Sequence, residues 1–169
     1  LYTRWVQFGA LSPVLRLHSN HGIREPWEYG DEALRIVGDF FRLRHRMYPY
    51  LNTCQREVYE TGMPLCRAMY MHWPSAEEAY RFMGQYMLGP NLLVAPITEP
   101  GRNGVATKQI WLPEGLWWDY WTGEPLQGPR VMAYQAPLDR CPIFARAGAI
   151  VPMQPDMDYM GQKPADPLT

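Results

Sequence analysis

The chain has 169 residues, 47% of them hydrophobic, enough to bury one sizeable core or two modest ones, which excludes a disordered chain. The 16 Lys and Arg stand against 17 Asp and Glu, for a net charge of -1, and no run of like charge offers a stripe that could track phosphates, so nucleic acid is not an expected partner. No apolar stretch approaches membrane-spanning length, which argues against a membrane partner. The 3 cysteines, Cys54, Cys66 and Cys141, are odd in number and widely spaced, so they read as buried free thiols rather than as a disulfide framework or a metal knuckle.

The opening Leu1-Tyr2-Thr3-Arg4-Trp5 looks neither like a signal peptide nor like a translation start, so the chain is expected to begin inside a larger protein. Residues 2–11 read as a helix, and 13–18 (Pro-Val-Leu-Arg-Leu-His) as a short, mostly apolar buried strand. A long amphipathic helix follows, with Leu34, Val37, Phe40, Phe41, Leu43 and Met47 on one broad stripe and Asp31 placed as its N-cap. Pro49 removes a backbone donor and restricts Tyr48, which ends that helix and starts a second one through Leu51, Cys54 and Val58 to a stop at Gly62.

Beyond Gly62 the pattern changes to short strands and turns. One helix is predicted over 76–88, with Glu77 and Glu78 in its first turn and Gly89 as its stop. Strands are predicted over 91–97, 108–112, 116–121, 130–134, 142–146 and 149–152, separated by Pro- and Gly-containing turns, a spacing that suggests a sandwich. Residues 154–169, rich in Pro, Gly and Asp, read as a linker or the start of a further domain. The units are therefore 1–62, 63–153 and 154–169, an α+β arrangement.

Several groupings could carry chemistry. His18 and His21 share a His-x-x-His spacing but lack helical geometry and further ligands, so neither a metal nor another cofactor is expected. Glu25, Glu28, Asp31 and Glu32 suit the N-terminus of a helix better than acid/base work. Arg42, Arg44, His45 and Arg46 read as a solvated or ion-paired helix face. Trp111, Trp117, Trp118 and Trp121 could stack on sugar rings, yet strand alternation puts Trp117 and Trp118 on opposite faces, and core filling is the reading preferred for the group.

Arg4-Trp5-Val6-Gln7-Phe8-Gly9-Ala10-Leu11-Ser12-Pro13, then Arg16-Leu17-His18 and Glu25-Pro26-Trp27, form an ordered series. It continues through Arg44-His45-Arg46-Met47-Tyr48-Pro49-Tyr50-Leu51, Gln85-Tyr86-Met87-Leu88-Gly89, Leu92-Leu93-Val94-Ala95-Pro96 and Asp119-Tyr120-Trp121-Thr122-Gly123. Over most of its length the chain resembles glycoside hydrolase family 31, which includes α-glucosidases and α-xylosidases. Cys66-Arg67-Ala68 departs from the family's usual Arg-Pro.

The resemblance implies the last helix-strand-helix portion of a (β/α)8 barrel followed by an antiparallel β-sandwich. It further implies a retaining mechanism, with carboxyl groups about 5–5.5 Å apart, whose nucleophile and acid/base lie on earlier barrel strands, so that no catalytic residue belongs to this chain. His18 matches the family's histidine at the C-terminal end of strand eight, where it would bind hydroxyls of the −1 sugar of an α-linked oligosaccharide or glycoside. Arg16, two residues earlier on the same strand face, would pair with a carboxylate of the site. The rest of the barrel would be the other partner.

Two readings stand at this point. The chain is a piece of an enzyme that hydrolyses, or transfers, an α-linked glucosyl or xylosyl unit; alternatively it is a structural or carbohydrate-binding β module without catalysis of its own.

Overall fold

The computed structural model describes residues 1–157, Tyr159 and Gln162. Helix α1 (Tyr2–Ala10) leads through an irregular stretch and a 3-10 turn (Pro26–Tyr29) to α2 (Asp31–Arg46) and α3 (Tyr48–Thr61). Asp31 is the first residue of α2 rather than its cap. Gly30, with φ 87, takes the cap position and no side chain bonds there, because the preceding 3-10 turn already brings the chain in at a left-handed residue. Pro49 sits in the first turn of α3, where its missing N–H costs nothing. Gly62, at φ 75, closes α3 in the left-handed conformation with its N–H on Val58 O.

Six antiparallel strands follow: β1 (Cys66–Ala68), β2 (Tyr86–Leu88), β3 (Leu92–Val94), β4 (Val105–Asp119), β5 (Pro125–Pro137) and β6 (Ile143–Arg146), hydrogen-bonded in the order β1-β2-β3-β6-β4-β5. One helix turn, α4 (Glu78–Arg81), lies between β1 and β2. The sheet has two buried faces. Leu88, Leu92, Val94 and Ile143 pack against Ile36, Phe40, Tyr50 and Cys54 of the helices. Met87, Leu93 and Phe144 point the other way and meet Ile110, Trp117, Leu126 and Tyr134 of the long β4–β5 hairpin, which folds over them as a second layer.

A bulge makes that second layer possible. Inward residues of β4 are even-numbered up to Leu112 (Ala106, Ile110) and odd-numbered from Trp117 (Trp117, Asp119), while β5 keeps one parity throughout. The register shift between Leu112 and Gly115 supplies the extra residue. Opposite it, a Cβ on Gly128 would collide with the Pro113 carbonyl. Residues predicted as two strands, 108–112 and 116–121, are therefore one bent strand.

The predicted helix over 76–88 is corrected more strongly. Only Glu78–Arg81 is helical, and Tyr86–Leu88 is a central strand paired with β1 on one side and β3 on the other. Gln85 explains the switch: its buried amide exchanges two hydrogen bonds with the backbone of Trp111 (2.7 and 2.9 Å), satisfying an edge of β4 that has no strand beside it. Residues 149–152 form no strand, since Ala147-Gly148 turns the chain back toward the helices, where Gln154 donates to Arg46 O and His45 O (both 2.8 Å). Gln154 is thus docked rather than part of a linker; most of the predicted linker, from 158 on and apart from Tyr159 and Gln162, lies outside the described residues. Residues 13–18, predicted as a strand, form none, since no described residue offers them a ladder.

No disulfide joins the three cysteines; Cys54 and Cys141 are buried and Cys66 half-buried, and burial pushes the thiols of Cys66 and Cys141 up to about 11 and about 12. Among the described residues no helix is long and apolar enough to cross a membrane.

One buried ion pair joins α3 to the sheet. Arg67, 2% exposed, donates to Glu57 Oε2 (2.6 Å) and to Pro64 O (2.9 Å). Glu57→Ala leaves the guanidinium without its anion and should lower unfolding free energy by about 2 kcal/mol, less than a fully buried pair because Glu57 is partly solvated. Arg56→Ala, breaking the exposed pair with Glu60, should cost less than about 0.5 kcal/mol. Urea melts of the two variants check the contrast, and equal losses would contradict it.

His72, beside this pair, has a buried Nε2 with no hydrogen-bond partner. Burial lowers its pKa from the ordinary 6.5, and the charges of Arg67 and Arg146 lower it further. The unfolded chain therefore binds the proton more readily, so this contribution to stability is complete above pH 6.5 and is lost as pH falls through the window beneath it. Thermal melts between pH 7.5 and 5 should show the native protein losing more stability than His72→Gln; parallel pH profiles would refute the assignment.

Candidate functional site

Helix α1 ends at Leu11, and a helix end leaves carbonyls without intrahelical partners. Here the acceptors are filled from other elements. Arg44 of α2 donates through Nη1 to Ala10 O (2.9 Å) and Ser12 O (2.6 Å), and through Nη2 to Pro13 O (2.9 Å). Tyr86 of β2 donates to Leu11 O (2.8 Å), and Ser12 Oγ to Phe8 O (2.8 Å). Burial lowers the Arg44 pKa, countered by Cys66 nearby, but a guanidinium stays charged.

From this turn the chain runs through 13–18 without regular secondary structure. Leu15 packs into the helix core and so close to Gly9 that a Cβ there would lie 2.7 Å from its Cδ1. Leu15 and Leu17 are half-buried while Arg16 and His18 are exposed, the alternation that puts both polar side chains on one side. Arg16 and His18 line one cleft of about 700 Å³ together with Tyr2, Trp5, Arg24 and Tyr29. Neither forms a hydrogen bond or ion pair with another described residue.

The far wall of the cleft is aromatic. Tyr2 stacks on Tyr29 (3.7 Å between centroids, 2° between planes) and donates to Arg24 O (2.7 Å). Burial raises the Tyr2 pKa, with Tyr29 and Glu25 adding to the shift. Glu25 Oε2 is buried without a hydrogen-bond partner. The rest of the lining is mostly apolar, with Val6, Phe8, Val14, Leu15 and Leu17 among it, so Arg16, His18 and Arg24 are among the few charged or polar groups that a ligand in the cleft would meet.

The other candidates fall elsewhere. Asp31 and Glu32 occupy the first turn of α2 and Glu28 the 3-10 turn before it, where negative charge favours the helix dipole. His21 is held in a local turn by Ser19 Oγ (3.0 Å to its N–H), and among the described residues no group of three or more His, Cys, Asp or Glu could hold a metal. Trp117 is fully buried and Trp118 41% exposed, on opposite faces as alternation requires. Arg42 pairs with Asp39 (3.2 Å) on the solvated face, but Arg44 does not belong to that face.

Arg44 was legible in principle. It stands four residues after Phe40 and three before Met47, on the buried stripe of α2. A cation in that register needs a buried acceptor. Arg4 had no such signal: it is half-buried and donates to Arg140 O (2.7 Å), Ala136 O and Pro137 O (both 3.1 Å), acceptors more than 130 residues away.

Comparison with known proteins identifies the family of the chain. Residues 1–54 match the glycosyl hydrolases family 31 TIM-barrel domain and residues 62–151 the glycosyl hydrolase family 31 C-terminal domain. The chain is 38% identical over 154 residues to alpha-glucosidase 2 of Bacillus thermoamyloliquefaciens, covering 89% of the chain and 19% of that protein. It is 34% identical over 154 residues to an alpha-xylosidase of Saccharolobus solfataricus, covering 90% and 21%. Among solved structures, the Flavobacterium johnsoniae GH31 dextranase complexed with glucose superposes with a TM-score of 0.91 at 38% identity, covering 96% of this chain and 20% of that one. The chain thus spans about a fifth of the length of the relatives it matches. It belongs to glycosyl hydrolase family 31, as the end of the barrel domain followed by the C-terminal β domain.

Proposed function

We propose that this chain is part of a retaining glycoside hydrolase acting on α-linked glucosyl or xylosyl residues, with His18 and Arg16 its contribution to the sugar site. The observation that supports this is their joint exposure on one cleft: two polar side chains without internal partners, on backbone anchored by Leu15 and by the Arg44 fork. Relatives that are an alpha-glucosidase and an alpha-xylosidase support the substrate class. In this reading His18 hydrogen-bonds hydroxyls of the −1 sugar, and Arg16 pairs with a carboxylate of the site. The fold divides at Gly62 between barrel and β portions, with the β portion running to 153. The remaining barrel covers the apolar side chains left exposed around the cleft, Leu1 (94%), Trp5 (62%), Val14 (74%) and Trp27 (62%).

Nucleophile and acid/base are supplied by that remaining barrel. Residues 1–169 alone should therefore not hydrolyse nitrophenyl α-glucoside or α-xyloside, whereas the protein carrying the complete barrel should; turnover by the isolated chain that survives repurification would overturn the reading.

In the complete enzyme, His18→Ala should lower kcat/KM by on the order of 10²-fold, equivalent to about 3 kcal/mol, mainly through kcat, because contacts to the ring hydroxyls strengthen as the sugar approaches its oxocarbenium-like state. Its thermal midpoint should hardly move, since His18 is exposed and makes no hydrogen bond with another described residue. A variant that melts much lower while its folded fraction turns over normally would make His18 a structural residue.

A further inference from the structure

We infer that Arg44 is a positioning residue for the sugar site: by holding the carbonyls of Ala10, Ser12 and Pro13 it sets where Arg16 and His18 stand in the cleft. The inference rests on the reading of His18 as a sugar contact.

Among the described residues Arg44 has no carboxylate within hydrogen-bond reach, and its bonds there are to these three backbone carbonyls. A half-buried cation satisfied wholly by backbone dipoles grips the chain itself, where an ion pair would have given more energy with one partner. What it grips matters. Pro13 is three residues from Arg16 and five from His18, and between them only the packing of Leu15 ties the segment down. No hydrogen bond to another described residue restrains 14–18, so the grip on Pro13 and the packing of Leu15 are the anchors from which the short stretch reaches both polar side chains. The grip itself is rigid, because Arg44 projects from the buried stripe of a 16-residue helix whose neighbours Phe40 and Met47 are each 1% exposed. Displacement of a contact residue by about 1 Å can cost on the order of 10²-fold in rate.

Arg4 supplies the control, with the same chemistry in a different place. It too is half-buried and holds three carbonyls, besides Gln7 Oε1, but they are those of Ala136 and Pro137 at the end of β5 and of Arg140 beyond it, not those of the turn that leads to Arg16 and His18. A lysine at either position has one ammonium on a flexible stem and cannot span three acceptors in a fixed fork.

The test uses the complete enzyme, with Arg44→Lys, Arg4→Lys, His18→Ala and the double variant Arg44→Lys/His18→Ala assayed on nitrophenyl α-glucoside and α-xyloside well below every thermal midpoint. We expect Arg44→Lys to lower kcat/KM by about 10-fold or more, chiefly in kcat, and to lose most of that effect, to about 2-fold or less, when His18 is already Ala. Arg4→Lys should lower the thermal midpoint at least as much while leaving kcat/KM within about 2-fold. If Arg44→Lys does not yield folded protein, Arg44→Gln, which keeps an amide donor without the charge, serves in the same comparison. An Arg44 effect undiminished in the His18→Ala background, or matched by Arg4→Lys, overturns the inference alone. An unchanged kcat/KM in His18→Ala overturns the sugar-site reading and this inference with it.

Discussion

The turn that follows α1 presents acceptor carbonyls from Phe8 to Pro13, of which those of Ala10, Leu11 and Ser12 are part-buried, and their satisfaction organises the molecule around the turn. An unpaired buried carbonyl costs about 1–3 kcal/mol, so several together would exceed what a marginally stable domain can tolerate. The donors come from different elements: Arg44 from α2, Tyr86 from β2 and Ser12 from the turn itself. Because those donors are distant in sequence, α1 cannot form its end correctly until α2 and the sheet have arrived. The turn is thus both a structural junction and the support of the segment that carries Arg16 and His18.

The same coupling appears across the whole helix–sheet contact. Tyr50 of α3 donates to Leu88 O (2.7 Å) and accepts from Asn91 N–H (3.3 Å), and Gly89 at φ 60 leaves room for it, since a Cβ there would lie 2.6 Å from the Tyr50 oxygen. Trp121 packs on Phe40 of α2 (5.8 Å between centroids) and donates to Cys141 O (2.6 Å). Asp119, buried in the turn that carries it, accepts from the N–H groups of Trp121 and Thr122. Leu11, Leu88 and Val94 are fully buried in one cluster, each worth roughly 1.5–3 kcal/mol over exposure. The change of pattern at Gly62 is therefore a change of secondary structure within one continuous core.

How much of this the sequence discloses depends on the length of each element. Helices α2 and α3 run for 16 and 14 residues, several periods of their pattern, so their apolar stripes, the proline and the glycine stop are all legible. Strands β1, β2 and β3 have three residues each, fewer than two full alternations, and nothing local separates Tyr86–Leu88 from the helical residues before it. Pairing on both edges decides that strand, and pairing is non-local. The bulge in β4 is hidden for a related reason, since Pro113-Glu114-Gly115 reads as a turn between two strands until the partner strand is seen to continue opposite it.

The cleft divides along the same line. Arg16 and His18 are picked out by the family resemblance of the short Arg16-Leu17-His18 motif, a local stretch of sequence, whereas residues that touch the turn before them are recognisable only through their contacts. Arg44 looks like one member of a charged run, and only its register on the stripe of α2 marks it as inward-facing. Tyr2 and Tyr29 form their stack between the start of α1 and the 3-10 turn before α2, far apart in sequence. If the remaining barrel covers Trp5, Val14 and Trp27, as proposed, it also removes water from the cleft beside them. Charges and hydrogen bonds in that cleft then act through a lower dielectric, where their strength depends steeply on distance and alignment. In such a site the backbone grip of Arg44 has more consequence than its place among surface arginines suggests, because small errors in the placement of Arg16 and His18 are no longer screened by solvent.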